Sequence, residues 1–538
     1  MHLDHLTPRD RELFRRFGHG PAVRVPHLLV HRAFEQQALA VPDAVAAEHG
    51  GSTVTYGELN RRADRLAAWL RRAGVRPGDR VGLFVRRSIP MLVGLLGTLK
   101  AGAAYVPQDI GLAPAAQLRH VIRTAATRIV LTQREYAHRV PLPAGVCHLV
   151  ELDDVGDVDD VGDVGDVGDV GELDRLYGHG TAAPDDGCYV LFTSGTTGPP
   201  NGVTVTHRNV ANILLTEPGS LGIRPGTRVA QLLNIAFDMA AWEILGCLSH
   251  GGTLVIRGKD IAEAARTADV LVATPTVLAS IDPAACPRVR AVAVAGEPCP
   301  RPLADLWARR CAFHNACGPT ETTIVNTMQR HHPDAELLTI GRPTPNNAVY
   351  VLDERRRPVP IGEVGEMWAG GDCVSAGYLG DDALTAQRYA PDPYLGGGRR
   401  MFRTRDLGRW TPDGELEHLG RTDDQVKIRG FRVEPDSVSA VLESLPGCVR
   451  AVTLKRDAQH LVSFVCPQDV DPEAARGAVA AALPYYCVPS AVLPLAALPE
   501  TDRGKIDKAA LLRLATGDTN GDIAGDTGRD ARVGVVGA

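Results

Sequence analysis

From about residue 26 the chain alternates amphipathic stretches with short, continuously apolar ones. Apolar positions spaced three and four apart predict helices over 33–39 and Tyr56–Arg72, the second ended by Gly74. Strand patterns fall between them, over 44–48 and Arg80–Val85, and the stretch 89–101 is apolar on every side, the pattern of a buried helix. Alternation of this kind predicts α/β layering around a largely parallel sheet. The rhythm resumes at 187 and continues to about 419, whereas residues 1–25 read as a polar lead-in with one short helix. A charge-dense boundary over 420–435 precedes a smaller unit: helix 436–444, strands 449–455 and 460–465, helix Pro472–Ala482. The expected fold class is α/β: a large N-terminal α/β domain of layered sheets and helices over 1–419, then a small α+β C-terminal domain over 420–515 and a disordered tail over 516–538.

One segment breaks the rhythm. Residues 153–172 repeat Val-Gly-Asp, acidic and too poor in apolar residues to build a core, so a solvent-exposed, disordered loop is expected. Its three-residue period is not the nine-residue Gly/Asp period of a calcium-binding β-roll.

Composition narrows the function classes. At 538 residues the chain has room for several packed cores, and 44% hydrophobic with 23% charged residues is ordinary for a globular protein. The 64 acidic and 58 basic residues leave a net charge of −6, without the basic excess of a protein that grips nucleic acid or anionic membrane. Only six of the basic residues are Lys: 100, 259, 427, 455, 505 and 508. The eleven Cys never form a C-x-x-C pair, which argues against both a disulfide framework and a zinc site. The N-terminus lacks the apolar core of a signal peptide, and stretches such as 91–99 are too short to span a bilayer, so a cytoplasmic protein is expected.

The sharpest chemical signal is LFTSGTTGPPNGV over 191–203. A strand-like run enters a loop of small hydroxyl residues and glycines, whose backbone N–H and side-chain O–H groups suit phosphate oxygens. The P-loop pattern does not fit, because Asn201-Gly202 stands where Gly-Lys would be. The string TSGTTG resembles the phosphate loop of the adenylate-forming superfamily. The resemblance continues in order along the chain: TYGEL at 55–59, LKAGAAYVP at 99–107, Phe237-Asp238 with Trp242-Glu243, NACGPTE at 315–321, Gly365-Glu366 through Gly377-Tyr378-Leu379, FRTRDL at 402–407, GRTDDQVKIRG at 420–430 with Arg432-Val433-Glu434, LPYYCVP at 483–489 and RGKID at 503–507. Such an ordered set over some 450 residues is similar to the adenylation domains of nonribosomal peptide synthetases.

That resemblance implies an AMP-forming ligase with ATP and Mg2+ as cofactors. An amino acid would be activated as aminoacyl-AMP with release of pyrophosphate, then passed to the phosphopantetheine thiol of a peptidyl carrier protein, for natural-product or antibiotic biosynthesis. It also implies roles residue by residue. Thr193, Ser194, Gly195, Thr196, Thr197 and Gly198 would wrap the phosphates, with Gly318, Pro319 and Thr320 beside the nucleotide and Thr320 at the α-phosphate. Glu321 would hold the metal, Asp406 the ribose hydroxyls, and Arg421 would sit near the ribose. Lys505 would bridge the substrate carboxylate and the α-phosphate as a compact cation. Lys505, Glu321, Thr320 and Thr193 are thus the expected catalytic set. Asp423 falls at the family's hinge, about which the small domain would rotate to exchange Lys505 for the face bearing Lys427.

The same resemblance places a substrate pocket at Asp238, Met239, Trp242, Val272, Ala293, Ala295, Ala316, Ile324 and Val325, with Lys505. An Asp at 238 is the family's partner for an α-ammonium group, and an unpartnered buried carboxylate is costly. The rest of this lining is apolar and three positions are Ala, which predicts a bulky apolar or aromatic α-amino acid, phenylalanine-like above all.

Four departures from the family pattern bear on ATP use. Asn201 replaces a Lys, Cys317 an aromatic that stacks on adenine, Arg405 a Gly, and Pro435-Asp436-Ser437 a Leu-Gly-Glu. Arg405 is a candidate to restore the cation missing at Asn201. No carrier attachment motif follows Lys505, so a free-standing enzyme acting on a carrier in trans is expected. The stretch 384–394 resembles the surface that docks small MbtH-like proteins. Two other readings stay open: an acyl- or aryl-CoA ligase of the same superfamily, and a catalytically degenerate carrier-binding homologue.

Overall fold

A computed structural model describes residues 3–142, 148–152, 182–195, 198–501 and 506–516. The acidic tract 153–172, Thr196, Thr197, Lys505 and the tail beyond 516 lie outside the described residues.

Two mixed sheets carry the large N-terminal part. In the first, nine strands run in the order Arg342–Pro343, Thr327–His331, Ala312–Cys317, Ala291–Val294, Val270–Ala273, Arg228–Gln231, Thr253–Ile256, Val45–His49, Ser52–Thr55. Its centre is parallel and both of its margins antiparallel. The second has seven strands: Gly377–Tyr378, Gly198–Thr206, Gly187–Gly195, Ala104–Asp109, Arg80–Val85, Ile129–Thr132, His148–Glu151. Helix Ile89–Lys100, capped by the Ser88 hydroxyl, is buried along nearly its whole length and packs on strands of both sheets. That is why it lacks a polar face. Helix Asp238–Ser249 is equally buried, from Met239 to Ser249.

The layered sheets and helices expected of the large part are present, and one further sheet lies beyond what helix–strand alternation predicts. Residues 347–421 form a separate antiparallel sheet of five strands, with one short helix, Asp382–Arg388. Most of these pairings join neighbouring segments through turns rather than through helices, so helix–strand alternation carries no trace of them. Strand Leu416–Arg421 closes that sheet, with Arg421 opposite Asp406.

The C-terminal part has its own apolar cluster, which includes Ile428, Val438, Leu442, Val465, Val479 and Cys487. Helices Pro435–Glu443 and Pro472–Ala482 pack beside the sheet of Arg450–Lys455, Leu461–Cys466 and Ala491–Pro494. A two-stranded hairpin, Val426–Ile428 with Phe431–Val433, projects from this part toward the large one. No helix among the described residues is long and apolar enough to cross a membrane.

Candidate active site

A cavity of about 380 Å³ opens between the hairpin and the C-terminal ends of the parallel strands. Ends of parallel strands are where α/β sheets place ligands, because the chain leaves the sheet there and its loops diverge. Strand Val270–Ala273 is buried on both faces and meets the cavity only past its end, through Thr274, Thr276 and Val277. Strand Ala291–Val294 does the same through Ala295 and Gly296, and strand Ala312–Cys317 through Gly318, Pro319 and Thr320. Gly318 has no room for a side chain, since a Cβ would lie 2.6 Å from the Val325 Cα.

This geometry divides the sequence-predicted pocket. Asp238, Met239, Ala295 and Ile324 line the cavity. Trp242, Val272, Ala293, Ala316 and Val325 are buried and do not line it. Val272 and Ala293 pair with each other inside the sheet, and the Trp242 indole N–H donates to the Gly219 carbonyl at 2.7 Å. The expected all-apolar lining is also corrected, because Thr274 and Thr276 bring hydroxyls to the wall. Thr276 donates to Glu297 at 2.7 Å, and the Thr274 hydroxyl accepts from the Val277 N–H. Thr323 and Ile324 both stand in left-handed backbone, at φ 56° and 68°. For a β-branched residue that is a strained state, persisting where its surroundings over-determine it. Here Thr323 is tied to the Cys373 carbonyl at 2.8 Å.

Asp238 opens helix Asp238–Ser249 and faces the cavity. Desolvation pushes its carboxyl up to about 6, against the Thr320 hydroxyl, the Lys427 charge and the Met239 N–H. Lys427, on the hairpin, lines the same cavity. Burial and the neighbouring Arg432 lower its ammonium, while Asp406 and Asp238 hold it up. Lys427 thus faces the cavity in this arrangement, as do Arg87, Arg257, Arg429 and Arg432, and Lys505 is outside the described residues. Aromatic packing seats the hairpin. Phe431 stacks on Tyr486 at 4.2 Å between centroids and lies 4.7 Å from Phe237, the residue before Asp238.

Thr193 and Ser194 lie near the end of strand Gly187–Gly195 and line the cavity, and Thr193 is paired with Asn201 on the adjacent strand Gly198–Thr206. Asp406 is buried on strand Arg400–Trp410 and accepts from Arg421 at 2.5 Å. Burial opposes its ionisation, but His418 and Arg421 outweigh this and lower its carboxyl. Arg421 also holds Asp423, with contacts of 2.7 and 3.0 Å. Arg405 points its guanidinium to the same turn, 3.4 Å from Asp423. Its φ of 64° is a conformation that suits glycine, the residue usual at this position in the family it resembles. Cys317 presents a thiol that burial pushes up to about 12.

Glu321 is fully buried. Burial pushes its carboxyl up, yet Arg432, Arg388 and the Tyr378 hydroxyl carry it down to about 2. Arg432 Nη1 donates to both of its oxygens, at 3.0 and 2.9 Å, and the Tyr378 hydroxyl donates at 2.6 Å. No group of three His, Cys, Asp or Glu among the described residues could hold a metal ion. In this arrangement Glu321 therefore does not fit Mg2+, its carboxylate being already matched by a guanidinium.

Sequence reasoning missed the role of Glu243, although it singled out the Trp-Glu pair. This fully buried carboxyl accepts the Leu232 N–H at 2.8 Å and the Leu233 N–H at 3.1 and 3.2 Å, fixing the loop that leads to Asp238. Desolvation pushes it up to about 8. A Glu at i+5 from the pocket Asp, on an otherwise apolar helix, was the available signal. Glu243→Ala leaves two buried N–H groups without an acceptor and is expected to cost roughly 2–6 kcal/mol of stability, read by urea unfolding.

Comparison with known proteins follows the same lines. Residues 34–379 match the family described as AMP-binding enzyme. The chain is 46% identical over 519 residues to adenylate-forming reductase 03009 of Coprinopsis cinerea, covering 95% of this chain and 49% of that protein. It is 37% identical over 548 residues to the isonitrile lipopeptide synthase of Mycobacterium tuberculosis, covering 96% of this chain and 21% of that protein. The chain thus spans half or less of the length of these curated relatives. Among solved structures, holo-PA1221, a nonribosomal peptide synthetase protein containing adenylation and PCP domains, aligns with a TM-score of 0.78 at 26% identity, covering 94% of this chain and 86% of that one. Family, fold and cavity agree: the chain belongs to the AMP-binding enzyme family, and its fold is that of nonribosomal peptide synthetase adenylation domains.

Proposed function

We propose that the enzyme activates a bulky apolar or aromatic α-amino acid as aminoacyl-AMP and passes the acyl group to the phosphopantetheine thiol of a carrier protein in trans. The observation that carries this reading is Asp238, an acid set into a cavity whose Met239, Ala295 and Ile324 walls are apolar. A desolvated carboxylate is costly without a cation, and an α-ammonium supplies one. A carboxylic acid without that group would leave only Lys427, Thr320 and the Met239 N–H to offset the desolvation of Asp238, which disfavours the CoA-ligase alternative. Lys427 beside Asp238 and Asp406 supports the transfer half of the reaction, since it brings a cation to where the acyl phosphate would lie. Lys505 is the proposed cation for the adenylation half, Asp406 and Arg421 the ribose contacts, and Asp423 the hinge. An MbtH-like partner at 384–394, Mg2+ as the metal and a cytoplasmic site of action belong to the same proposal. The Coprinopsis relative favours one further destination for the loaded carrier, a reducing enzyme.

The test is amino-acid-dependent ATP–pyrophosphate exchange across the proteinogenic set, with and without an MbtH-like protein. Exchange is expected to peak with phenylalanine, leucine or a close analogue. A maximum with aspartate, lysine or serine would overturn the pocket assignment.

A further inference from the structure

Strands Gly187–Gly195 and Gly198–Thr206 are antiparallel neighbours joined through the TSGTTG string. Their ladder is weak on the outgoing side. Thr193 pairs with Asn201 and Gly195 with Gly198, so Pro199 and Pro200 together stand opposite Ser194, a bulge. Proline has no N–H, so neither of them can donate across to the incoming strand. The outgoing strand is held from outside instead. His120 Nε2 lies 2.8 Å from the Pro200 carbonyl, and since a carbonyl can only accept, that nitrogen carries the proton and donates it. The same imidazole meets Phe192 of the incoming strand edge-on, 5.9 Å between ring centroids. One side chain thus touches both strands, at the residue before Thr193 and at the residue before Asn201.

His120 can serve as a fixed point because its helix is anchored. Helix Ala115–Thr124 buries Leu118, Val121 and Ile122 in one apolar cluster with Val190 and Phe192. Apolar contact therefore ties the helix to the incoming strand, and His120 adds the polar tie to the outgoing one. We infer that His120 is a positioning residue for the phosphate loop: by holding the chain at Pro200 it sets how tightly the triphosphate of ATP, and pyrophosphate, are bound. It does not line the cavity and touches no reacting atom. A loop released at Pro200 binds more weakly, in proportion to the fraction of time it still holds the binding arrangement. Asp238, Met239, Ala295 and Ile324 belong to other elements, so the amino-acid side of the cavity is spared. The inference rests on the reading of this loop as the phosphate site of an adenylate-forming enzyme.

ATP–pyrophosphate exchange by the full chain with its preferred amino acid tests it. His120→Ala is expected to raise the KM for ATP and the KM for pyrophosphate about three- to tenfold each, the scale of one lost hydrogen bond. The KM for the amino acid and kcat at saturating ATP are expected to stay within about twofold. Two further variants separate the hydrogen bond from the ring. His120→Gln keeps an N–H at similar reach and is expected to restore most of the ATP affinity. His120→Phe keeps a ring against Phe192 and is expected to behave as His120→Ala does. An unchanged KM for ATP in His120→Ala, an amino-acid KM that rises in step with it, or restoration by Phe as full as by Gln would overturn the inference alone. If His120→Ala does not fold, the Gln and Phe variants decide by the same comparison. Absence of exchange from every form, the wild type included, would overturn it together with the functional reading.

Discussion

Asp238→Asn is expected to lower kcat/KM for the preferred amino acid by about 10²–10³-fold or more, while leaving the chain folded. The reasoning is electrostatic. Removing one partner of a desolvated ion pair costs about 3–5 kcal/mol, and each 1.36 kcal/mol is a factor of ten. Asparagine keeps the shape and can still accept from the Thr320 hydroxyl and the Met239 N–H, which contact the carboxyl now. What it lacks is the charge that holds an ammonium. The pH dependence has a definite sign. The Asp238 carboxyl titrates near 6, and only its ionised form attracts the substrate, so affinity is present above that pH and lost as the pH falls through it. In the Asn variant the KM against pH profile is expected to be flat over the same range. Steady-state exchange kinetics at pH 5 to 8 reads both effects.

Gly430→Ala is expected to produce the second large effect, and on the other half of the reaction. Gly430 joins the two strands of the hairpin at φ 83°, where a side chain is strained. Its added Cβ would also stand 2.7 Å from the Thr274 Cγ2. Thr274 cannot swing aside freely, because its hydroxyl caps helix Pro275–Ala279. The docked arrangement of Lys427 and Arg432 is therefore penalised, and transfer to the carrier is expected to fall by about 10–100-fold, or roughly 1.4–2.7 kcal/mol. Pyrophosphate exchange is expected to fall by much less. Single-turnover loading of a carrier protein beside exchange separates the two.

Much of this molecule is legible in its sequence where the information is local. Helix Tyr56–Arg72 begins on the capping Thr55 and shows one apolar face, and its predicted bounds agree with the structure to the residue. The same holds for strand Arg80–Val85 and helix Pro472–Ala482, the latter with Asp471 and Pro472 at its start. The five-stranded sheet over 347–421 is not legible, since its strands pair through turns and helix–strand alternation reads only helical crossovers. The site divides in the same way. Asp238, Met239 and Thr193 are placed by short motifs. Val272 and Ala293 are misplaced because likeness along the chain does not say where a buried strand ends and its loop begins. The partner of Glu321 is beyond sequence reasoning altogether, since Arg432 lies 111 residues away and meets it only where the two parts of the chain touch.

The pairing of a desolvated acid with a substrate cation is best examined by removing the cation from the substrate rather than the acid from the protein. ATP–pyrophosphate exchange with phenylalanine, measured beside 3-phenylpropionate, isolates the amino group, since the two share their ring and carboxylate. The account predicts exchange with phenylalanine and at least about a hundredfold less with its deaminated analogue, a gap that closes in Asp238→Asn. Equal exchange with both acids in the wild type would contradict it.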